Sequence, residues 1–240
     1  MTEEFERAAS TFGQRTAGRF DHMDAPGFAR VRPGETVAEI GAGTGNFLAL
    51  FADVAERLVA VDLTEAMLRA ACARHDGLDL VVGDGVRLPL RSRSIDLVTS
   101  AQVLHHVAKP VPFLVEMRRV CTEGGRVLIV DQVATERFEE AVAMAALETV
   151  RDPTHAASRS PSAFRIVLAG AGLRVIDERI VASRQRLGDW MWPGEFPPER
   201  IEAVESFIER RGAETGMDFE RDGDEWTFAR RRIMLLAQRA

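Results

Sequence analysis

The stretch Glu39-Ile40-Gly41-Ala42-Gly43-Thr44-Gly45-Asn46 decides the fold. It completes Thr36-Val37-Ala38-Glu39-Ile40, an apolar run that reads as a buried strand, and precedes Phe47 to Val54, whose apolar spacing reads as a helix. Glycines in a strand-to-helix turn let the chain reverse tightly and let backbone approach a ligand. The pattern is G-x-G-x-G. A dinucleotide fingerprint needs a glycine at position 46, where this chain has Asn46. A tight turn that binds nothing is the plain alternative.

Two acids downstream argue for a ligand. Asp62 closes a second strand, Leu58 to Asp62, twenty-one positions after Gly41, where a carboxylate can accept both ribose hydroxyls. Asp84, in Gly83-Asp84-Gly85, ends a third strand, Leu78 to Val82, where a carboxylate can take the exocyclic amine of adenine. Glu39, Asp62 and Asp84 together would repel a pyrophosphate and suit a nucleoside that carries positive charge, which points to a sulfonium. Asp84 as a solvated loop acid and Glu39 as a cap on loop amides remain open.

The alternation continues with a fourth strand, Ser94 to Ser100, a helix from Pro110 to Val120, and a Gly124-Gly125 turn into a fifth strand, Arg126 to Val130. Thr64-Glu65 opens a helix through Ala73, with Thr64 as its cap. Short apolar strands separated by helices predict a parallel sheet covered on both faces. The last third changes rhythm. A long helix, Glu136 to Val150, leads into a polar link, Arg151 to Ser160, and Ser160-Pro161 caps a helix that ends at Gly170 or Gly172. Leu173 to Val181 and Trp226 to Leu236 read as closing strands, with a helix from Glu199 to Arg211 and an Asp222-Gly223 hairpin turn between them. Upstream of everything, Glu3 to Arg30 reads as one or two amphipathic helices with Phe5, Ala8, Ala9, Phe12 and Phe20 on the apolar side.

Composition narrows the function. The 240 residues hold 31 Lys+Arg against 37 Asp+Glu, a net charge of −6, with 46% hydrophobic residues, the balance of a globular protein of one large core. The acidic balance weighs against a nucleic-acid substrate. No apolar run reaches the ~20 residues of a spanning helix, and the acidic start lacks a signal peptide's basic and apolar blocks, so the expected location is the cytoplasm. Cys72 and Cys121 show no CxxC spacing, and the five histidines form no ladder that would hold a metal. Tyr is absent and Lys109 is the single lysine, which leaves histidine as the natural proton acceptor.

His105 and His106 follow the fourth strand at the carboxyl edge, where open α/β sheets bind ligands. His106 is a candidate base, His105 a candidate substrate contact, and structural roles stand beside both. His155, three residues after Asp152, can be oriented by that carboxylate and is a second candidate base; contact with substrate and a loop hydrogen bond are its alternatives. His22 lies in the N-terminal segment, where it can reach a substrate. Trp190, Met191 and Trp192 beside Pro193 form an apolar cluster that either packs on the sheet or walls a flat acceptor.

Taken together, Val37 to Asn46, Val59 to Asp62, Gly83-Asp84-Gly85, Ser94 to His106 and Arg118 to Val130 make the chain resemble the class I S-adenosylmethionine-dependent methyltransferases over residues 5–132. It looks most like their ubiquinone/menaquinone-methyltransferase-like branch of small-molecule enzymes. Thr122-Glu123-Gly124-Gly125 departs from the family, which usually has Pro before the two glycines, and Phe12 stands where an aromatic, frequently Tyr, is found. The later part, through Arg151-Asp152-Pro153-Thr154-His155, Asp189-Trp190 and the closing strand from Trp226 to Arg239, is similar to bacterial homologues of undefined substrate.

The resemblance implies a Rossmann-like doubly wound α/β sheet, mostly parallel with an antiparallel last strand. It also implies an N-terminal helical lid over 1–30 and a methyltransferase domain over 31–240 that carries cap elements at about 134–165 and 184–222. By carry-over, Gly41, Ala42 and Gly43 line the methionine and ribose of S-adenosyl-L-methionine, with Leu63 and Met67 beside the adenosine held by Asp62. Asp84 and Gly85 meet adenine, and Ser100, Ala101 and Gln102 lie under the sulfonium. Leu63 and Met67 also read as core residues. The implied reaction is methyl transfer to an O, C or N atom of a small organic acceptor, in biosynthesis of a quinone-like or secondary metabolite. A catalytically inactive cofactor-binding module or partner subunit and, less favoured, an NAD(P)-dependent oxidoreductase are the competing readings. No metal, nucleic acid or membrane span is expected, and a homo-oligomer stays open.

Overall fold

The computed structural model describes residues 9, 11–191 and 197–240. Phe5 and Ala8 of the N-terminal pattern, and Trp192 and Pro193 of the aromatic cluster, lie outside the described residues. Eight strands, β1 (Thr36–Ile40), β2 (Arg57–Asp62), β3 (Leu78–Val82), β4 (Ile95–Ala101), β5 (Cys121–Gln132), β6 (Leu173–Arg186), β7 (Glu220–Asp222) and β8 (Glu225–Arg239), form one sheet. Its order is β3-β2-β1-β4-β5-β8-β6, with β7 paired to the outer part of β8. The first five strands pair in parallel; β8 runs antiparallel to both β5 and β6. The parallel part is what the residue pattern leads one to expect, and the antiparallel last strand of a doubly wound sheet is what the family resemblance implies.

The central strands are apolar without alternation because both faces are covered. Val37 to Ile40, Leu58 to Val61 and Leu97 to Ala101 are buried throughout. On one face, Leu114 and Met117 of α3 (Pro110–Val120) and Phe164 and Leu168 of α5 (Pro161–Gly170) pack on Val98, Val127 and Ile129. On the other face, Met23, Phe28 of α1 (Ala25–Ala29), Leu48, Phe51 and Leu68 of α2 (Glu65–Cys72) pack on Val37, Leu128 and Met234.

Local departures have local causes. The segment after the glycine loop winds only as a 3-10 turn, Leu48–Phe51, where the sequence spacing predicts a longer helix. Its aromatic side chains are used in packing instead: Phe47 meets Phe20 edge-on at 5.0 Å and Phe51 at 5.6 Å. Thr64 precedes α2 but its hydroxyl makes no cap; the Asp62 carboxylate takes the Thr64 amide at 2.8 Å. The Gly124-Gly125 turn lies inside β5, where pairing jumps from Ile95↔Cys121 to Leu97↔Arg126 and the intervening residues bulge out. A Cβ on Gly125 would sit 2.7 Å from the Asp96 carbonyl, so glycine is what lets the bulge close without a neighbouring proline. Ser160 caps α5 through the Ala163 amide, as its sequence predicts.

A third apolar cluster stands apart from the two sheet faces. Met144 and Leu147 of α4 (Phe138–Arg151), Leu187 and Trp190 of α6 (Leu187–Trp190), Val204, Phe207 and Ile208 of α7 (Pro198–Arg211), Met217 and Phe228 form it. It joins the segment after β5 to the segment between β6 and β8, so the two insertions share one core above the carboxyl edge of the sheet. Both cysteines are free thiols, Cys121 buried and Cys72 exposed. Among the described residues no helix is long and apolar enough to cross a membrane.

Leu147 is fully buried in the third cluster, whereas Phe138, at the start of the same helix, is 76% exposed. Leu147→Ala is expected to lower the unfolding free energy by about 2–5 kcal/mol in a urea titration, and Phe138→Ala by less than about 0.5 kcal/mol.

Candidate functional site

Strand order reverses between β1 and β4, and ligands of open α/β sheets bind outside the carboxyl ends of the strands at such a point. A cavity of about 230 Å³ opens there. Its walls come from the ends of four strands: the glycine loop after β1, Asp62 to Thr64 after β2, Gly83 to Gly85 after β3, and Ala101 to Val103 after β4.

The glycine loop is held by main chain and by one carboxylate. The amides of Gly41 and Ala42 both donate to the Val61 carbonyl, at 2.8 and 3.0 Å. The Gly43 amide donates to Asp62 Oδ2 at 2.8 Å while Oδ1 takes the Thr64 amide. Gly41 has φ +76°, and a Cβ there would sit 2.5 Å from Val103 Cγ2. Gly43, at φ +54°, has nothing within 4 Å of the Cβ it lacks; its bare face looks onto open space.

Burial pushes the Asp62 carboxyl above its ordinary value, against the amide hydrogen bonds that favour its charge. Glu39 is more extreme. It is 1% exposed, and Oε2 has no hydrogen-bond partner among the described residues. Burial drives its carboxyl well above the ordinary range, opposed by a hydrogen bond from the Leu48 amide and reinforced by the neighbouring charge of Asp62. An unsatisfied buried acid on a cavity wall is costly unless something cationic or hydrogen-bonding completes it.

Glu39, Gly41, Ala42, Gly43, Asp62, Leu63, Met67, Asp84, Gly85, Ala101, Gln102 and His106 all line this cavity. The other residues singled out by sequence do not. Ser100 turns its hydroxyl to the Ile40 carbonyl at 2.8 Å, because alternation along β4 faces it away from Ala101. His105 is buried behind His106, ring centroids 4.0 Å apart, with Nδ1 2.6 Å from Asp131 Oδ1. Burial first, then the charge of His106, hold its pKa well below the ordinary value. His155 stacks on the far side of His105 at 5.8 Å and meets Ser158 Oγ at 3.2 Å; burial lowers its pKa too. Trp190 is packed between Phe228, at 4.8 Å, and the Arg151 guanidinium, also at 4.8 Å. His22 is exposed and faces a separate, more open cavity.

His106 is therefore the histidine at the cavity. Its Nδ1 lies 3.0 Å from Thr154 Oγ1 and 3.2 Å from the Thr154 carbonyl, and its Nε2 is 4.0 Å from Asp152 Oδ2. Burial opposes the charge of Asp152, but His106, the Thr154 hydroxyl and amide, and Arg151 outweigh it and hold the carboxyl below its ordinary value.

The cavity's N-terminal wall is built by Phe12, Thr16, Arg19 and Phe20, within the segment expected as a lid; Thr16 and Arg19 are the wall residues that sequence reasoning missed. The signal that would have found Thr16 is Asn46. Its side-chain amide donates to the Gly13 carbonyl at 2.9 Å and to Thr16 Oγ1 at 2.8 Å, and its oxygen lies 3.2 Å from His75 Nε2. The residue that breaks the dinucleotide pattern is the one that ties the N-terminal segment to the loop.

Residues 38–129 match a protein family described as a methyltransferase domain. The demethylmenaquinone methyltransferase of Beutenbergia cavernae is 37% identical over 145 residues, which are 59% of either chain. The chain spans about half the length of the curated relatives it matches. Among solved structures, a candidate methyltransferase from Bacillus halodurans C-125 superposes with a TM-score of 0.80 at 26% identity, covering 87% of this chain and 94% of that one. A phosphoethanolamine N-methyltransferase of Haemonchus contortus, solved in complex with S-adenosyl-L-methionine, shares the fold at a TM-score of 0.65 and 12% identity, covering 98% of this chain and 57% of its own.

The two loop glycines are expected to respond differently to a methyl group. Gly43→Ala is expected to cost about 1–2 kcal/mol in thermal or urea unfolding, the penalty of a left-handed residue. Gly41→Ala should cost measurably more, because Val103 must also move.

Proposed function

We propose that this chain, whose residues 38–129 match a methyltransferase domain family, binds S-adenosyl-L-methionine in the cavity at the strand reversal and passes its methyl group to an O, C or N atom of a small organic acceptor. The observation that carries the reading is Glu39, a buried acid with an unpartnered oxygen on a wall otherwise made of bare glycine backbone. The name of the Beutenbergia cavernae relative, a demethylmenaquinone methyltransferase, supports a quinone-like acceptor.

The residues present fit that cofactor. Each Asp62 oxygen accepts one amide and keeps a second lone pair for a ribose hydroxyl. Glu39 and Gln102, whose Nε2 also lacks a partner, can complete their hydrogen bonding on the methionine portion. Gly85 lets the backbone beside Asp84 pack close to Phe113, whose ring would lie 2.3 Å from an added Cβ, and both residues line the cavity. When bound, the cofactor supplies an electrophilic methyl on a sulfonium, and the protein's work is alignment and exclusion of water, which can contribute ~7–11 kcal/mol.

Val103, Val107, Phe113 and, from the N-terminal segment, Phe12 and Phe20 make the dry part of the wall. The N-terminal segment acts as the lid, latched by Asn46. His106 accepts or steers the acceptor's proton, with Asp152 and Thr154 setting its ring. His155 and His105 act behind it, through packing, and Trp190 belongs to the cap's core.

Calorimetric titration with S-adenosylhomocysteine and with NAD tests the reading: heat is expected with the first only. Asp62→Asn, which keeps one of the two acceptors for the loop amides, should weaken S-adenosylhomocysteine at least tenfold and cost about 1–3 kcal/mol in unfolding for the amide left unpaired; equal affinity would overturn the placement of the ribose.

Binding should also depend on pH. A cationic ligand favours ionised Glu39, whereas the raised pKa of the free protein favours its protonated form. Affinity should therefore rise with pH until Glu39 is ionised in the free protein, with one proton released per ligand on the acid side. Glu39→Gln should flatten that dependence.

A further inference from the structure

β8 runs against the other central strands, so its early residues lie at their carboxyl edge, with Arg232 opposite Gln132 and Ile233 opposite Asp131. Alternation places Arg230 and Arg232 on the face that carries Met234 and Leu236, toward the core side of the N-terminal segment. Both are buried, at 7% and 3% exposure, and the Nε of each lacks a hydrogen-bond partner among the described residues. Arg230 donates to two amide oxygens, Gln102 Oε1 at 3.1 Å and Gln132 Oε1 at 3.4 Å, rather than to an acid. Arg232 lies with its guanidinium 5.9 Å from the Phe20 ring. Neither makes an ion pair among the described residues.

The nearby acids are already taken. Glu148 binds Arg151 through Nε at 3.0 Å and Nη2 at 2.8 Å. Asp131 accepts the Gln132 amide, the His105 amide and the His105 ring at 2.7, 3.1 and 2.6 Å. Arg19 adds a further guanidinium on the N-terminal side, without an acidic partner among the described residues. Burial, then the charges of Arg232 and Arg151, lower its pKa to about 9. Burial lowers that of Arg232 to about 10 despite Asp131. Burial, then Arg232, pushes Arg230 well below the ordinary value, against Glu148.

Arg19 and Arg232 border open space, with Arg230 packed behind them. A second cavity of about 610 Å³ is lined by Arg15, Arg19, His22, Arg184 and Arg232, with Asp189 as its acid. Arg184 is paired with Glu220. The second cavity adjoins the first, for Arg19 lines both, and Gln102, on the wall of the first, is bonded to Arg230.

We propose that this arginine cluster is an anion-binding site that holds a carboxylate or phosphate group of the acceptor, so that the methylated molecule is an acidic small molecule whose other end reaches the cofactor cavity. Guanidinium forks match both oxyanions, and such a ligand would supply the counter-charge that the buried arginines lack. Calling the ligand the acceptor rests on the methyltransferase reading; the anion site itself does not.

The test titrates benzoate and inorganic phosphate, at constant ionic strength, into the whole protein by calorimetry, alone and with S-adenosylhomocysteine at saturation. At least one of the two is expected to bind saturably in both states, benzoate reporting a carboxylate site and phosphate a phosphate site. Arg232→Gln should weaken it at least tenfold and leave S-adenosylhomocysteine within twofold, which also certifies the fold; Arg232→Lys should recover part of the loss. Arg210→Gln, on the exposed side of α7, should change neither. Should Arg232→Gln fail to fold, Arg230→Gln takes its place with the same expected loss. Absence of saturable binding, binding unaltered in the variant, or displacement of the anion by S-adenosylhomocysteine overturns the proposal, the last by assigning the cations to the cofactor's own carboxylate. Anion binding without any S-adenosylhomocysteine binding would uphold the site and bring down the methyl-transfer reading instead.

Discussion

One carboxylate holds the loop on which the cavity depends. Asp62 takes the Gly43 amide on one oxygen and the Thr64 amide on the other, and so joins the ends of β1 and β2 across the mouth of the sheet. Without an acceptor there, a loop with three glycines at positive φ would be left with its main-chain hydrogen bonds, such as those of Gly41 and Ala42 to the Val61 carbonyl, and no glycine side chain to pack. A hydrogen bond to a charged group contributes roughly 1.5–3 kcal/mol. That is enough to hold one loop geometry against the conformational freedom of a few residues, each of which costs roughly 1–2 kcal/mol to order. Asp62 shapes the ligand site before it touches any ligand.

The carboxyl edge of the sheet carries the molecule's electrostatic burden, and it is divided by sign. Around the glycine loop the buried groups are acids, Glu39 and Asp62, both raised by burial. Toward β8 they are arginines whose pKa values are lowered by burial. Between them stand His105, which packs on His106 and His155 and bonds Asp131, and His106, beside Asp152. Charged groups buried without counter-charges of their own are expensive. The polarity of this edge, acid at one end and cationic at the other, is complementary to a cationic cofactor lying beside an anionic acceptor. Hydrophobic packing elsewhere in the sheet carries the cost.

The fold was legible because its central strands are buried on both faces. Val37 to Ile40 and Leu58 to Val61 read as continuous apolar runs, and the acids and glycines at their ends stand out against them. The residues gathered around the cavity at the strand ends were legible for the same reason: strand ends are fixed once the strands are. What was hidden depends on direction and on distance. Ser100, Ala101 and Gln102 cannot all face one cavity, because consecutive strand residues alternate, and Ser100 is the one turned away. His155 and Trp190 sit in cap elements whose packing partners, Arg151 and Phe228, are remote in sequence, and no periodicity says which face of the cap looks down. Arg230 and Arg232 alternate with Arg231 in a run of three arginines that reads as a solvated strand end. Only the antiparallel pairing of β8 shows two of them to be buried.

The cap and the sheet divide the work of recognition. The cap's apolar cluster shares no residue with the two clusters on the sheet faces, and Phe228, just upstream of Arg230 on β8, is where it joins the sheet. Two residues along the strand, Arg230 is held by Gln102 and Gln132. Repacking of α4 and α7 can therefore reshape the space over the acceptor without disturbing the strand ends that hold Asp62 and the glycine loop. The acceptor site we propose is bounded below by charge that belongs to the sheet and above by a core that does not. Its charge preference is then a property of the sheet's last strand, and its size preference a property of the inserted helices.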